Sequence, residues 1–239
     1  LHLGDMAYGS GTFFEFETFF FQVYAPLMAR VPTWPTIGNH EFKTDMGRPY
    51  RDVYHLPEQA YRATEQEYYY SFDYGNIHFV SIDSNPERQL FTVGAATDDM
   101  LDWLDADLAA SDAEWLVVFM HHPVWSSGSH GGEPWVQRAI VPILEARGVD
   151  LVLAGHDHHY ERTVPVLQGA AAPDSLSAIT YVVQGAGGAG LRPAGGDWFT
   201  AAKDDQVHNY LELVFDGCEA TGRAIDVGGN VLDTFVVNG

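Results

Sequence analysis

The run Trp115–Met120, WLVVFM, is apolar at every position and stops at His121-His122-Pro123. A strand with no polar face has to be covered on both sides. That is the condition of a parallel sheet flanked by helices, and it predicts an α/β fold. A second buried strand is expected over 150–154, apolar after Asp150, and ends at Gly155-His156. The first strand hands over directly to histidine and the second does so after one glycine.

The remaining pattern fits the same class. A helix packed by its aromatic residues is expected over 13–29 and a short strand over 33–37, ending in Gly38-Asn39-His40. Strands over 68–74 and 77–83, separated by Gly75-Asn76, read as a hairpin. The segment 98–110 has Leu101, Leu104 and Leu108 on one helical face, and 135–147 is helix-like, with Gly148 as its C-terminal cap. Further strands are expected near 179–184, 209–215, 220–227 and 231–237, while 44–66 reads as an irregular polar excursion. Neither a repeat nor a low-complexity linker interrupts the chain, so residues 1–239 are expected to form one domain.

Charge narrows the partners. The chain has 33 acidic and 12 basic residues, a formal net charge of -21. That excess repels nucleic acid and anionic membrane surfaces, so neither is an expected partner. It also repels a phosphate-bearing substrate, which would need strong local positive charge such as a metal ion. Glu15 and Glu17 interrupt the aromatic run over 13–21, and no stretch approaches the roughly 18 apolar residues of a membrane span. The single cysteine, Cys218, excludes an intrachain disulfide and a cysteine-rich zinc site.

The candidates for chemistry all follow strand ends: Asp5 and Tyr8, Asn39 and His40, His121, and His156 and His158. In an open α/β sheet those ends line one edge, where ligands bind. Taken singly, Asp5 fits a helix cap, Asn39 a turn, and Tyr8 ordinary packing. Taken together they are harder to explain, because six of the eleven histidines (40, 121, 122, 156, 158 and 159) crowd into three strand-end loops. Carboxylate, amide oxygen and imidazole are a mixed donor set suited to two metals. Gly4, Gly38 and Gly155, each just before a candidate ligand, would let the backbone turn sharply beside the cations.

In order along the chain, GDMAY (4–8), GNHE (38–41), VFMH (118–121) and GHDH (155–158) resemble the signature of calcineurin-like metallophosphoesterases. Gly-Asp-x-x-Tyr with GHDHHYER (155–162) resembles the purple acid phosphatase branch, and HHPVWSSGSHGG (121–132) its bacterial members. VVQGAGGAG (182–190) is similar to a glycine-rich turn late in that family. The resemblance implies an α/β/β/α four-layer sandwich with a dinuclear centre at one edge. Asp5 would bridge the metals. Tyr8 and His158 would complete the first site with one further Asp, and Asn39, His121 and His156 would hold the second. His40 and, more weakly, His130 would face substrate, while His122 and His159 receive no role. The further Asp belongs to a motif upstream of Gly4 that this sequence does not contain. The chain is therefore expected to be an N-terminally incomplete fragment that lacks a strand and helix.

The resemblance implies hydrolysis of phosphate esters, phosphomonoesters first, by in-line attack of a metal-bound hydroxide. Phenolate ligation by Tyr8 calls for a strongly acidic cation, since free phenol has a pKa of about 10. Fe(III), with Zn, Mn or Fe(II) beside it, is the expected pair. A phosphodiesterase on the same fold, decided by the loops 44–66 and 124–134, is one alternative. A non-catalytic module retaining one metal is another. Members of this branch are commonly exported, so a secreted or extracytoplasmic location is expected.

Overall fold

The strand Trp115–Met120 lies third in a seven-stranded sheet, buried at every position. The computed structural model of the chain describes residues 1–86 and 95–239. Its strands are β1 (Tyr70–Tyr74), β2 (Ile77–Ile82), β3 (Trp115–Met120), β4 (Leu151–Ala154), β5 (Tyr160–Thr163) and β6 (Val166–Leu167). They continue with β7 (Ala170–Ala171), β8 (Thr180–Gln184), β9 (Thr200–Asp204), β10 (Asn209–Asp216), β11 (Glu219–Asp226) and β12 (Val231–Asn238).

The main sheet has the order β1-β2-β3-β4-β8-β5-β9. Its centre, β2 to β8, is parallel, so the ends of β2, β3, β4 and β8 open on the same edge. Antiparallel strands finish both sides: β1 pairs with β2 in the expected hairpin, and β5 joins β8 to β9. A second, antiparallel sheet, β10-β11-β12, packs on the main one. Trp115 meets Phe215 edge-on at 5.1 Å and donates its Nε1–H to the Gly217 carbonyl at 2.8 Å. Arg162 and Tyr160 from β5 both reach Asp233 in β12, at 2.7 and 2.8 Å. With its flanking helices this is the mixed α/β metallophosphoesterase architecture expected from the sequence.

The helical segment expected over 13–29 forms in three pieces: α1 (Phe13–Glu15), a π-helical stretch Phe16–Phe21, and α2 (Gln22–Met28). Thr12 and Glu15 cap its start reciprocally. Only Phe16 and Phe20 of its aromatics are buried, against Tyr54, because a helix can bury one stripe; Phe13, Phe14 and Phe19 face outward. Short helices α3 (Asn39–Phe42) and α4 (Arg48–Val53) follow, the latter inside the excursion expected to be irregular. Helix α5 (Ala95–Ala110) buries Leu104 and Leu108 and leaves Leu101 partly exposed. The segment expected over 135–147 is π-helical over Val136–Ile140, and α6 (Val141–Ala146) restarts with Pro142 in its first turn, where no N–H is missed.

Two expected strands do not form, the one leading to Asp5 and the one over 33–37. Residues 33–37 make no strand, and their pairing with the N-terminal segment is a single parallel bridge, Pro35 to His2. Pro32 and Pro35 have no N–H, so a ladder cannot extend through them.

Candidate metal centre

The turn after Leu3 brings the first ligand into place. Gly4 is left-handed, at φ +85°, and a Cβ there would stand 2.6 Å from His121 Nδ1. At Gly38 a Cβ would collide with the Asp5 carboxylate. Both positions need a residue without a side chain. Asp5 and His156 themselves are left-handed, at φ 55° and 68°. Such backbone is uncommon outside glycine and concentrates at functional sites.

Four loops then converge. His121 Nε2 lies 3.2 Å from Asp5 Oδ2, 3.0 Å from Asn39 Oδ1 and 3.2 Å from His156 Nδ1, which is itself 3.1 Å from Asn39 Oδ1. Next to this group the Tyr8 hydroxyl is 3.3 Å from His158 Nε2, and the charge of Asp5 acts on it as well as on His121. The His40 backbone N–H holds Asp5 Oδ1 at 2.9 Å, leaving Oδ2 free to face the cluster. His40 Nε2 is 3.9 Å from Asp5 Oδ2, and its ring packs on Tyr8 at 4.5 Å. The His130 ring packs on His156 at 4.4 Å. The eight residues singled out in the sequence thus lie in one place.

The donor set fits cations. His121 Nδ1 donates to the Leu3 carbonyl at 2.7 Å and His158 Nδ1 to the Gly190 carbonyl at 2.9 Å. Each bond leaves the ring's Nε2 turned into the site, the arrangement by which outer contacts orient ligating histidines. The field agrees. Burial lowers His121, but the Asp5 and Glu41 carboxylates outweigh it and raise its affinity for positive charge. Burial likewise raises Asp5, but the His121 charge and hydrogen bonds from His121 and the His40 N–H pull it well below the usual carboxylate range. His156 is pushed down to about 3 by burial and the neighbouring His121. His158 is lowered chiefly by burial. Tyr8 is raised by burial and by the charges of Asp5 and Glu41, which favour the protonated phenol.

Several contributors carried no role in the sequence reading. Glu41 is fully buried and accepts three backbone N–H groups, from Asp5 and Ala7 at 2.8 Å and from Gly38 at 2.9 Å, tying two ligand turns together. Its place three residues after Gly38 is a capping-box signal. His122 lies within 4.8 Å of His121 and His156 by its ligating atoms, and its Nδ1 meets the Ser84 hydroxyl at 3.0 Å. In GHDHHYE the residues alternate in task. His156 and His158 enter the site, while Asp157 and Glu161 hold the loop that carries His130, through Ser126, the His130 N–H and the Ser127 N–H. His159 bonds Glu161 at 3.0 Å, both side chains buried. Arg192, on the glycine-rich loop after β8, bonds His130 Nε2.

A model of the family described as calcineurin-like phosphoesterase matches residues 1–160. The chain is 30% identical over 188 residues to purple acid phosphatase 18 of Arabidopsis thaliana, covering 74% of this chain and 41% of that protein. To the probable inactive purple acid phosphatase 1 of the same plant it is 25% identical over 221 residues, covering 80% of this chain and 34% of the relative. It superposes on purple acid phosphatase PPD1 from yellow lupin (Lupinus luteus) seeds with a TM-score of 0.85 at 23% identity, over 99% of this chain and 46% of that one. At that identity the superposition speaks for the fold alone. The chain spans less than half the length of these relatives. By its ordered motifs, its fold and the match over residues 1–160, the chain belongs to the calcineurin-like phosphoesterase family, on the side of the purple acid phosphatases.

Proposed function

We propose that residues 1–239 are the catalytic unit of a metal-dependent hydrolase of phosphate esters, phosphomonoesters foremost. The observation that carries this reading is the convergence of Asp5, Asn39, His121 and His156 from four loops, with the Tyr8–His158 pair alongside. In this reading Asp5 would be shared by two cations, Tyr8 and His158 would help hold the first, and Asn39, His121 and His156 would hold the second. Fe(III) suits the phenolate position and Zn, Mn or Fe(II) the other. When bound, such a pair supplies Lewis acidity and an activated water.

The chain's own residues do the rest. His40 Nδ1 sits 3.0 Å from the Gly9 carbonyl and 3.2 Å from the Lys43 ammonium. Donation to Gly9 leaves a lone pair on Nε2, and acceptance from Lys43 leaves a proton there. Nε2 can therefore give a proton to a departing alkoxide or take one, as a general acid–base group must. His40 packs on Tyr8 of the first ligand set and His130 on His156 of the second. The small-molecule ester enters between them. Export from the cytoplasm is in keeping with this reading, and no helix among the described residues is long and apolar enough to cross a membrane.

The test is Asp5→Asn in the full-length protein. Loss of the bridging carboxylate should lower bound metal from two ions per chain and reduce kcat on a monoester by at least about a hundredfold. A wild-type protein that holds two metals and cleaves no phosphoester, or an Asp5→Asn variant of undiminished function, would make the chain a non-catalytic module.

A further inference from the structure

Among the described residues, five arginines pair with carboxylates: Arg48, Arg62, Arg147, Arg162 and Arg223. In a chain of 33 acidic and 12 basic residues that is the expected fate of a guanidinium. Arg192 differs. It is half-buried, and no described carboxylate lies within ion-pair distance of it; its partner is the imidazole of His130. Arginine can only donate, so His130 Nε2 accepts and its proton resides on Nδ1. The His130 ring in turn packs on His156, which sets the guanidinium one ring away from the metal cluster. Its charge reaches Tyr8, His156 and His158.

The loop bearing Arg192 is fastened to the site. The Arg192 N–H donates to the His158 carbonyl at 3.0 Å, and the Gly190 carbonyl orients the His158 ring at 2.9 Å. Farther along, the Gly195 and Gly196 N–H groups bond Ser127 at 3.1 and 2.9 Å, on the loop that carries His130. A fixed cation with its donor fork unclaimed by any described carboxylate, beside a centre that fits cations, suits an anionic oxygen of a ligand.

We infer that Arg192 binds a charged, non-reacting oxygen of the phosphoryl group and thereby sets a preference for phosphomonoesters over phosphodiesters. The inference rests on the hydrolase reading above. A monoester dianion presents one more charged oxygen than a diester, whose corresponding oxygen carries a second organic group. The two-pronged guanidinium rewards the first and gains little from the second.

The experiment compares wild type, Arg192→Gln and Arg192→Lys in the full-length, metal-loaded protein. It uses p-nitrophenyl phosphate, bis(p-nitrophenyl) phosphate and, by titration calorimetry, inorganic phosphate. For Arg192→Gln, kcat/KM on the monoester should fall about tenfold to hundredfold, mainly through KM, with the diester within about threefold of wild type. The Kd for phosphate should rise in parallel, and lysine should restore part of both losses. Metal content and Tm should stay unchanged, since the loop is pinned by backbone bonds. Equal losses on both esters, or unchanged phosphate affinity, would overturn the inference. Should wild type bind phosphate yet cleave neither ester, the hydrolase reading fails, and the phosphate Kd of Arg192→Gln still decides whether this residue holds a phosphoryl oxygen.

Discussion

Glu41 acts on the candidate ligands through their backbone, accepting the N–H groups of Asp5, Ala7 and Gly38. Burial and the charge of Asp5 raise its pKa, against the pull of those N–H groups. Such a carboxyl is costly to bury and hard to replace. Glu41→Gln keeps the shape but turns an NH2 group toward donors that need an acceptor. The expected cost is about 2–3 kcal/mol of stability, read as a lower Tm, together with lower metal occupancy after gel filtration. Legibility at this scale followed chemistry. The ligand types and their Gly neighbours stood out in the sequence because few other roles require them. Glu41, Asp157 and Arg192 did not, because a lone charged residue in a loop is most often a solvated one, and their farthest partners lie 31 to 62 residues away.

At the scale of elements, the β1–β2 hairpin is fixed to α5 by a histidine clasp. His78 Nδ1 lies 2.7 Å from Asp73 and its Nε2 2.9 Å from Asp107. Burial lowers the imidazole pKa, but the hydrogen bonds and charges of Asp107 and Asp73 outweigh it, and the net shift is upward. A histidine raised in the folded state contributes stability that is fully present below its ordinary value of 6.5 and is lost as pH rises through the raised value. Thermal unfolding should therefore show Tm falling from about pH 6 to about pH 8. In His78→Gln that component of the slope should disappear. Elements built on apolar periodicity, β2, β3, β4, β8 and α5, could be read from the sequence, and so could the hairpin from Gly75-Asn76. Strands β5 and β9 could not. Tyr160–Thr163 reads YERT and Thr200–Asp204 reads TAAKD, and their places depend on polar contacts such as Arg162 with Asp233 and Thr200 with Glu161. The proline pair at 32 and 35 had the opposite effect: apolar neighbours suggested a strand that the missing N–H groups forbid.

Across the whole molecule, the net charge of -21 opposes the approach of any phosphate ester, while Arg192 and the proposed cations attract it only at short range. Salt screens the long-range part first, with a Debye length of about 10 Å at 0.1 M. Raising ionic strength from about 20 to about 200 mM should accordingly increase kcat/KM on a dianionic monoester, and by less on a monoanionic diester. A fall with salt instead would mean that local attraction governs encounter.

The six proposed ligands come from four loops and span the chain from Asp5 to His158. Cations joining them would act as a staple, clipping together stretches that otherwise share few covalent constraints, in a chain whose single cysteine allows no internal disulfide. Free metal at about a thousandfold over its Kd would add about 4 kcal/mol to the folded state. Chelation should lower Tm and expose the loops at 4–8, 38–41 and 121–132 to protease together, and re-addition of metal should protect all three at once. Ions proposed for turnover would then also decide how long the fold around them lasts.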